Sequence, residues 1–313
     1  MLLLFACADP PAKDPDDAGE PATGDDTGDP VDTGEPVVGN CLERVDGLVL
    51  VRDADDAAAL CEEGGTLTGD LSVVGTPFAD LSALACVCAV EGRMSFSDND
   101  SLTTLGGLDQ LVTAGSLQVT GNEVLASLAG LGTLAALDEV YVGDNPALTS
   151  LDGLEEIASL GALHLEGNGL ASLDGLGAVG EIAGSVTVTS EAELEHLDAL
   201  AGVIAVGGDV SVVLNPLLTD LAGLAGLAAV GGSLNVSYGE GLATLDGLGA
   251  LRTVEGDLTL TGNGALADVS ALEGLTRVGG DVTITGNASL APEAVDALIA
   301  AIDEIGGTVT TDP

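Results

Sequence analysis

Short strands with alternating aliphatic and polar residues recur along most of the chain at nearly constant spacing. Gly-Asp-Leu-Thr-Leu-Thr-Gly-Asn ends at Asn263, and Gly-Asp-Val-Thr-Ile-Thr-Gly-Asn ends at Asn287. Earlier copies end 23 or 24 residues apart, or twice that where Glu191 or Gly239 replaces the Asn, at Asn99, Asn122, Asn145, Asn168 and Asn215. Such a period is the mark of a repeat architecture in which each unit is one coil.

Each unit has the pattern of a coil that cannot fold alone. Two aliphatic residues such as Leu258 and Leu260 alternate with polar ones, which predicts a strand with one buried face. A Gly-Asn turn, several spaced Leu or Val positions and a closing Gly-Gly or Glu-Gly follow. One coil cannot bury its own aliphatic face, so we expect neighbours to stack about 4.8 Å apart around a shared core. The sequence predicts a mainly β solenoid of about ten coils of 22–24 residues each.

The repeated polar residues are explained by this stacking. A turn Asn tolerates a left-handed backbone and can hydrogen-bond the peptide groups of the adjacent turn, so the Asn column is predicted to be structural and not a ligand site. The acidic residues that begin several strands are predicted to be solvated edge charges and not metal ligands; they are Asp70, Asp209, Asp257 and Asp281.

Composition changes along the chain and suggests five segments. Residues 1–7 contain Leu-Phe-Ala-Cys, which resembles a bacterial lipobox and makes Cys7 the predicted lipid-attachment site; because the apolar stretch is short, we expect the true start to lie upstream. Residues 8–39 are rich in Asp, Glu, Pro and Gly, which predicts a disordered linker. Residues 40–68 form a predicted N-terminal cap, and residues 69–291 the solenoid. In residues 292–313, a helix from Pro292 to Ile302 is expected to shield the open edge of the final coil, with a last strand over Thr308–Thr310.

Four cysteines cluster at the start of the predicted folded part. In an exported chain, Cys41, Cys61, Cys86 and Cys88 indicate disulfides. The preferred pairing is Cys41–Cys61, which leaves Cys86–Cys88 by elimination, as a strained short loop. Zinc is the alternative, although Cys-x-Cys without a Cys-x-x-Cys pair or a nearby His suits a tetrahedral site poorly.

The repeat resembles a known family. The motif Leu-x-Leu-x-x-Asn is shared with leucine-rich repeats. The whole repeat is more similar to the receptor L domain and to bacterial lipoproteins built from L-domain-like repeats. This similarity extends over residues 41–307 and is carried by the pattern "Asp-Gly-Leu, x-x-Leu, x-x-Val-x-Gly-Asp-Leu-x-Leu". That resemblance implies a right-handed solenoid with a disulfide-bonded cap and a short helix around Asp53–Leu60. It does not imply any particular ligand.

Charge and chemistry narrow the function. With 51 acidic against 6 basic side chains, a net charge of −45 disfavours binding to nucleic acid or anionic lipid. His164 and His196 occupy different positions in their coils, and neither has a paired nucleophile or metal cluster. We therefore predict no catalytic residue, no metal and no cofactor, and contact with a membrane only through a lipid anchor.

One set of outward positions departs from small polar residues. The middle outward position of successive strands holds Gln118, Tyr141 and His164 on consecutive coils, and Glu166 follows two residues after His164. An aromatic group between hydrogen-bonding groups can recognise protein or sugar, although ordinary variation on a solvent-facing sheet also explains it. The leading hypothesis is a non-catalytic, lipid-anchored binding or adhesion module at the outer membrane or cell surface, with an unknown protein or glycan partner.

Two other functions stay open. A polysaccharide-acting β-helix enzyme would need cationic groups to stabilise developing negative charge, and the solenoid has only Arg93, Arg252 and Arg277. Ice or mineral binding would use rows of Thr-x-Thr such as Thr259 and Thr261, but these rows are interrupted at Ser211/Val213 and Asn235/Ser237.

Overall fold

Parallel strands dominate the computed structural model, which describes residues 41–312. The predictions for Cys7 and for segments 1–7 and 8–39 lie outside the described residues. The strands and helices in chain order are β1 Arg44–Val45, β2 Val49–Val51, α1 Ala54–Glu63, β3 Thr66–Leu67, β4 Leu71–Val74, β5 Ala89–Ser97, β6 Thr113–Thr120, β7 Ala136–Gly143, β8 Ser159–Glu166, β9 Glu181–Ile182, β10 Val186–Thr189, β11 Ala205–Val206, β12 Val210–Val213, β13 Ala229–Val230, β14 Leu234–Ser237, β15 Thr253–Val254, β16 Leu258–Thr261, β17 Arg277–Val278, β18 Val282–Thr285, α2 Pro292–Ala301, β19 Glu304–Ile305 and β20 Val309–Thr311.

All strand pairings are parallel and join neighbouring repeats. Val186 pairs with Leu163 one repeat before it and with Val210 one repeat after it. Two tracks run along the sheet: β1, β3, β9, β11, β13, β15, β17 and β19 belong to the first, and β2, β4, β10, β12, β14, β16, β18 and β20 to the second, while the long strands β5 to β8 span both. The prediction of a mainly β, repeat-like parallel sheet is confirmed.

The core is a continuous row of aliphatic side chains enclosed by the coils. Within each coil the alternate, aliphatic residues of the strand and the spaced leucines of the loop point inward. The buried cluster that they form runs from Val51 to Ile302. Phe96 is the largest fully buried side chain, and Leu and Val fill most of the remaining core. Because each coil shares its buried face with two neighbours, stability accumulates between adjacent coils.

The turn asparagines form a ladder of buried amides. The backbone N–H of Asn122 donates to Oδ1 of Asn145 at 3.1 Å, and its Nδ2 donates to the same oxygen at 3.1 Å and to the Phe96 carbonyl at 3.0 Å. The other asparagines repeat these two kinds of hydrogen bond. The backbone N–H donates to the ladder side chain of the next coil in Asn99, Asn145, Asn168 and Asn263. The side-chain Nδ2 donates to a strand carbonyl in Asn99, Asn145, Asn168, Asn215, Asn263 and Asn287. Each amide therefore satisfies peptide groups that the turn would otherwise bury without partners.

Two residues change the ladder. Glu191 takes an Asn position and is fully buried, with its carboxylate accepting from the backbone N–H and Nδ2 of Asn168 at 3.2 and 2.8 Å. Gly239 takes another Asn position and has no side chain to receive the Asn215 N–H, although its own N–H donates to Asn263 Oδ1 at 2.9 Å. The ladder is thus charged at one coil and interrupted at another.

The strand-leading aspartates are exposed to solvent, as predicted, but they also form a second ladder of hydrogen bonds, which the strand pattern did not predict. Asp209 Oδ1 accepts the Ser233 N–H at 2.7 Å, and Asp257 Oδ1 accepts the Asp281 N–H at 2.8 Å. Asp70 and Asp281 accept from Arg93 and Thr308 in the same way. The carboxylates are exposed to solvent on one side but tie each coil to the next on the other.

This second ladder also explains the Gly-Gly that closes many coils. A Cβ added at Gly232 would lie 2.1 Å from Oδ1 of Asp209, and one added at Gly280 would lie 2.0 Å from Oδ1 of Asp257. The second glycine is therefore needed because the aspartate of the preceding coil occupies the space that its side chain would take.

Disulfides link the first coils, but not in the predicted pairing. Cys41 bonds Cys88 and Cys61 bonds Cys86, with Cα–Cα distances of 5.6 and 5.5 Å. The predicted Cys41–Cys61 and Cys86–Cys88 pairs are wrong: the bonded cysteines lie one repeat apart (Cys61 and Cys86, 25 residues) and two repeats apart (Cys41 and Cys88, 47 residues). Helix α1, capped by the Asp53 side chain, presents Cys61 to the loop that contains Cys86.

The last coil differs in detail from the predicted cap. Helix α2 begins at Pro292 as expected and buries Leu298, and its nearest described neighbour is the 3-10 turn Ser270–Gly274. Strand β20 follows α2 and pairs with β18. The edge of β18 is therefore covered by β20, whose three residues are all exposed, and not by the helix.

Candidate functional site

The outward side chains of the second track lie in straight columns across the sheet. The middle column is in register from coil to coil, because Gln118 pairs with Tyr141 and Tyr141 pairs with His164. The remaining positions of that column are Leu50, Ser72, Ser95, Thr187, Ser211, Asn235, Thr259, Thr283 and Thr310. The three larger polar side chains therefore lie side by side, on a face that is elsewhere built mainly from small polar residues.

Two residues from the adjacent outward column join them. Arg93 Nη1 donates to Oε1 of Gln118 at 3.3 Å, and its Nη2 lies 3.7 Å from Oε2 of Glu139. Glu139 also lies 3.9 Å from Nε2 of His164. We call Arg93, Gln118, Glu139, Tyr141, His164 and Glu166 the sheet-face cluster. Its arginine is held by an amide and a carboxylate, so the cluster contains opposite charges in contact on a strongly acidic protein.

Tyr141 lies at the centre of the cluster. Its hydroxyl donates to Oε2 of Glu166 at 3.4 Å, and its ring centroid is 6.4 Å from that of His164 with the planes tilted by 36°. A Cβ at Gly143 would be 3.0 Å from Cε1 of Tyr141, so the ring lies against this glycine. Partial burial and the negative charges of Glu166 and Asp144 raise the pKa of the Tyr141 hydroxyl above its ordinary value, so the group is a neutral hydrogen-bonding phenol at neutral pH.

A shallow depression of about 260 Å³ lies beside the Tyr141 ring, lined by Arg93, Gln118, Thr120, Glu139 and Tyr141. Of the four residues predicted as a binding surface, Gln118 and Tyr141 line this depression, while His164 and Glu166 lie next to Tyr141 on the following strand. The prediction did not include Arg93 and Glu139, because they lie outside the middle column. They share the neighbouring outward column, in which Arg93 pairs with Ser116 and Ser116 pairs with Glu139, and the strand alternation indicates this column too.

Other candidate chemistry is dispersed over the described residues. His196 lies in a loop hollow with Glu195, Asp198 and Asp220, away from the outward strand column that contains His164. Between residues 41 and 312, no group of three or more His, Cys, Asp or Glu side chains is placed to hold a metal ion. None of the helices in that range is long and apolar enough to cross a membrane.

The Thr-x-Thr rows are aligned but discontinuous. Thr259 pairs with Thr283 and Thr261 with Thr285, while Val213 and Ser237 occupy the outer row between Thr189 and Thr261. The hydroxyl array is therefore regular only over short stretches.

Comparison with known proteins adds no family assignment. No protein-family model matches the chain, and no curated protein matches it in sequence.

Proposed function

We propose that this chain is a non-catalytic, lipid-anchored binding or adhesion module of the cell surface, and that it recognises its partner through the sheet-face cluster. In this proposal the repeats form a right-handed, L-domain-like solenoid of about ten coils, with a disulfide-linked segment at its N-terminal end. Cys7 would hold the lipid at the outer membrane or cell surface, and the acidic segment 8–39 would separate the folded part from the membrane.

The two disulfides support an extracytoplasmic location. Disulfides persist in oxidising compartments and are rare in the cytosol, where thiols are kept reduced. Cys41–Cys88 and Cys61–Cys86 both join parts of the chain that are distant in sequence, at separations of 47 and 25 residues. Such long-range cross-links are consistent with a structural role and support the proposed extracytoplasmic location.

The observation that supports the binding site is the composition of the sheet face. Stacking accounts for the inward Leu and Val side chains, the Asn ladder and the Asp ladder, but it does not require Tyr141, His164 or Arg93 at outward positions. A tyrosine and an arginine are side chains enriched at recognition hot spots. On a chain with a net charge of −45, Arg93 also lowers the local repulsion toward an acidic partner.

The same geometry favours binding over catalysis. A polysaccharide lyase needs a base near the substrate and a cation that is free to stabilise the developing negative charge. Here Arg93 is engaged by Glu139 and Gln118, and the Tyr141 hydroxyl, whose pKa is raised, stays protonated at neutral pH and so does not supply the base. A polysaccharide or protein resting on the ring and its polar neighbours suits these groups better.

The test compares two double variants of the full chain. Tyr141→Ala with His164→Ala removes the centre of the sheet-face cluster, and Thr259→Ala with Thr283→Ala alters the same outward column at distant coils. Each protein is immobilised and exposed to a detergent extract of the source organism's envelope and to a glycan array. We expect the first variant to lose at least about tenfold in binding, which corresponds to about 1.4 kcal/mol, while the second retains binding and both keep their thermal stability.

Equal binding by the parent and the Tyr141/His164 variant would remove the cluster from the proposal. The anchor is tested separately, by radiolabelled-lipid incorporation in cells expressing the gene from its native locus, with Cys7→Ala as the control. Incorporation that persists in Cys7→Ala, or is absent from the parent, would contradict lipid attachment at Cys7.

A further inference from the structure

Both ends of the parallel sheet present strand edges to solvent in the described part of the chain. At one end β2 pairs with β4, and at the other β20 pairs with β18. An exposed edge of this kind can add a further strand from another chain. The two edges are complementary in four respects: hydrogen-bonding groups, register, apolar residues and charge.

The hydrogen-bonding groups that point outward at the two ends match. Val49 donates its N–H to the Asp70 carbonyl, so the alternation of a parallel ladder directs the N–H and C=O of Leu50 away from β4. At the other end the Val282 N–H donates to the Thr308 carbonyl, and the Asp312 N–H donates to Ile284. The Val309 C=O and the Thr311 N–H therefore point away from β18, where they could pair with Leu50 of another copy.

The strand spacing at the two ends is also equal. Val49 follows Arg44 by five residues, and Val309 follows Glu304 by five residues. Strand β1 can therefore lie beside β19 of another copy while β2 lies beside β20. In that register Val49 faces Val309 and Val45 faces Ile305, which continues the aliphatic interior across the junction.

The charged residues at the two ends agree with the same register. Arg44 pairs with Thr66 at the start of the first track, and Glu304 pairs with Arg277 at its end, so stacking places Arg44 beside Glu304. The Arg44 and Glu304 side chains are 56% and 62% exposed; within the chain Arg44 forms an ion pair with Glu91 and Glu304 forms one with Arg277, so each would add a second ion-pair partner across the junction.

Apolar side chains are exposed at the N-terminal end, where Leu48 is 68% exposed. The C-terminal end has a hollow of about 410 Å³ lined in part by Ile284, Leu290 and Val295. The two surfaces could bury one another.

We propose that copies of this chain associate head to tail, with the β1–β2 edge of one copy adding to the β19–β20 edge of the next so that the parallel sheet continues through the junction. The contact is heterologous, and repetition generates an open linear series. It leaves the outward columns uncovered, so it goes beyond the proposed binding function and does not depend on it.

The net charge of −45 opposes association at low salt. Salt at roughly 0.5 M shortens the screening length to about 4 Å, so most of the repulsion between copies is removed while contacts at the junction persist. We therefore expect association to strengthen with salt over this range.

The first experiment is sedimentation velocity on the full chain at this salt concentration, over increasing protein concentrations. We expect a concentration-dependent series of dimers and longer species. Thr311→Pro removes the outward N–H without touching the bonds to β18, whereas Thr311→Val keeps that N–H and serves as the control. Thr311→Pro should weaken association at least tenfold, and Thr311→Val should leave it nearly unchanged.

The second experiment exchanges charge across the junction. Arg44→Glu and Glu304→Arg each place like charges at the contact, so each variant alone should associate more weakly than the parent. An equimolar mixture restores opposite charges at both kinds of junction and should associate more strongly than either variant alone. Thermal unfolding checks that each variant is folded, and if Arg44→Glu is not, the comparison of Thr311→Pro with Thr311→Val decides.

The proposal is overturned if the parent sediments as a monomer at every concentration, or if Thr311→Pro associates as strongly as Thr311→Val. A mixture of folded charge variants that associates no better than its components would also reject the proposed register.

Discussion

The carboxylate of Glu191 accepts the side-chain amide of Asn168 at 2.8 Å, inside a ladder whose other polar side chains are neutral amides. Burial raises the pKa of Glu191 above its ordinary value, and the hydrogen bonds from Asn168 and Leu170 oppose only part of that effect. The native state therefore binds the Glu191 proton more tightly than the unfolded chain does.

We predict that Glu191→Gln stabilises the protein at neutral pH. Because the native pKa is the higher one, the contribution of Glu191 to stability is complete below its unfolded pKa and is lost as the pH rises through its native pKa. Gln is neutral throughout and can still accept the Asn168 bond, so the free energy of unfolding of the variant should exceed that of the parent by on the order of 1 kcal/mol at pH 7. This difference should shrink as the pH falls through the raised native pKa toward the unfolded value of about 4.3. Urea unfolding of parent and variant at several pH values measures this difference.

Glu193→Gln is the matched control, because it removes the same charge at an exposed position of the same turn. Its stability difference from the parent should change little with pH. A Glu191→Gln effect that equals the Glu193→Gln effect at every pH would show that the buried carboxylate has no special role.

Gly239→Asn should repair the interrupted ladder. An Asn there can accept the Asn215 N–H and donate to the Val212 carbonyl, as the other ladder amides do. We expect the free energy of unfolding to increase by about 1 kcal/mol. An added Cβ lies 3.2 Å from Cβ of Leu242, so a small local shift is required. Gly249→Asn is the control, because nothing lies within 4 Å of a Cβ at that position. Thermal unfolding should show a higher Tm for Gly239→Asn than for Gly249→Asn, and the reverse order would contradict the ladder interpretation.

The disulfide pairing can be read directly by peptide mapping under non-reducing conditions. We expect fragments that join Cys41 to Cys88 and Cys61 to Cys86. Replacing both Cys61 and Cys86 by Ser should cost about 3 kcal/mol, because the cross-link that closes this loop in the unfolded chain is lost. Denaturant unfolding measures the loss, and a fragment joining Cys41 to Cys61 would contradict the structure.

Asp209 distinguishes a hydrogen-bonding role from a role of charge alone. Asp209→Ala leaves the Ser233 N–H without its side-chain acceptor and should cost about 1 kcal/mol. Asp209→Asn keeps an acceptor oxygen while removing one negative charge, so it should be close to neutral. If both variants lose equal stability in urea unfolding, the carboxylate acts through its charge and not through the ladder bond.

Much of the fold could be predicted because the repeat is simple. Placing the aliphatic positions inward determines which residues point outward, and the column through Gln118, Tyr141 and His164 follows from the coil length alone. The disulfides do not follow from the same rule, because the sequence separation of Cys61 from Cys41 and that of Cys61 from Cys86 are both close to one coil.

The other features of the site and of the fold depend on how far side chains reach and on which residues lie next to them in adjacent coils. Arg93 and Glu139 are two coils apart, and only long side chains join them. The position of the Tyr141 ring depends on the absence of a side chain at Gly143. The Asp ladder depends on a glycine one coil later, and a strand pattern treated one coil at a time cannot show that relationship.

Both ladders repeat at 24 residues between Glu191 and Asn287. At the level of the gene, duplicating or deleting one such unit of 72 nucleotides would preserve the reading frame and leave each remaining coil with a neighbour at the same 24-residue spacing. The length of this protein can therefore change by recombination within its own coding sequence, while the outward residues of each added coil are free to diverge.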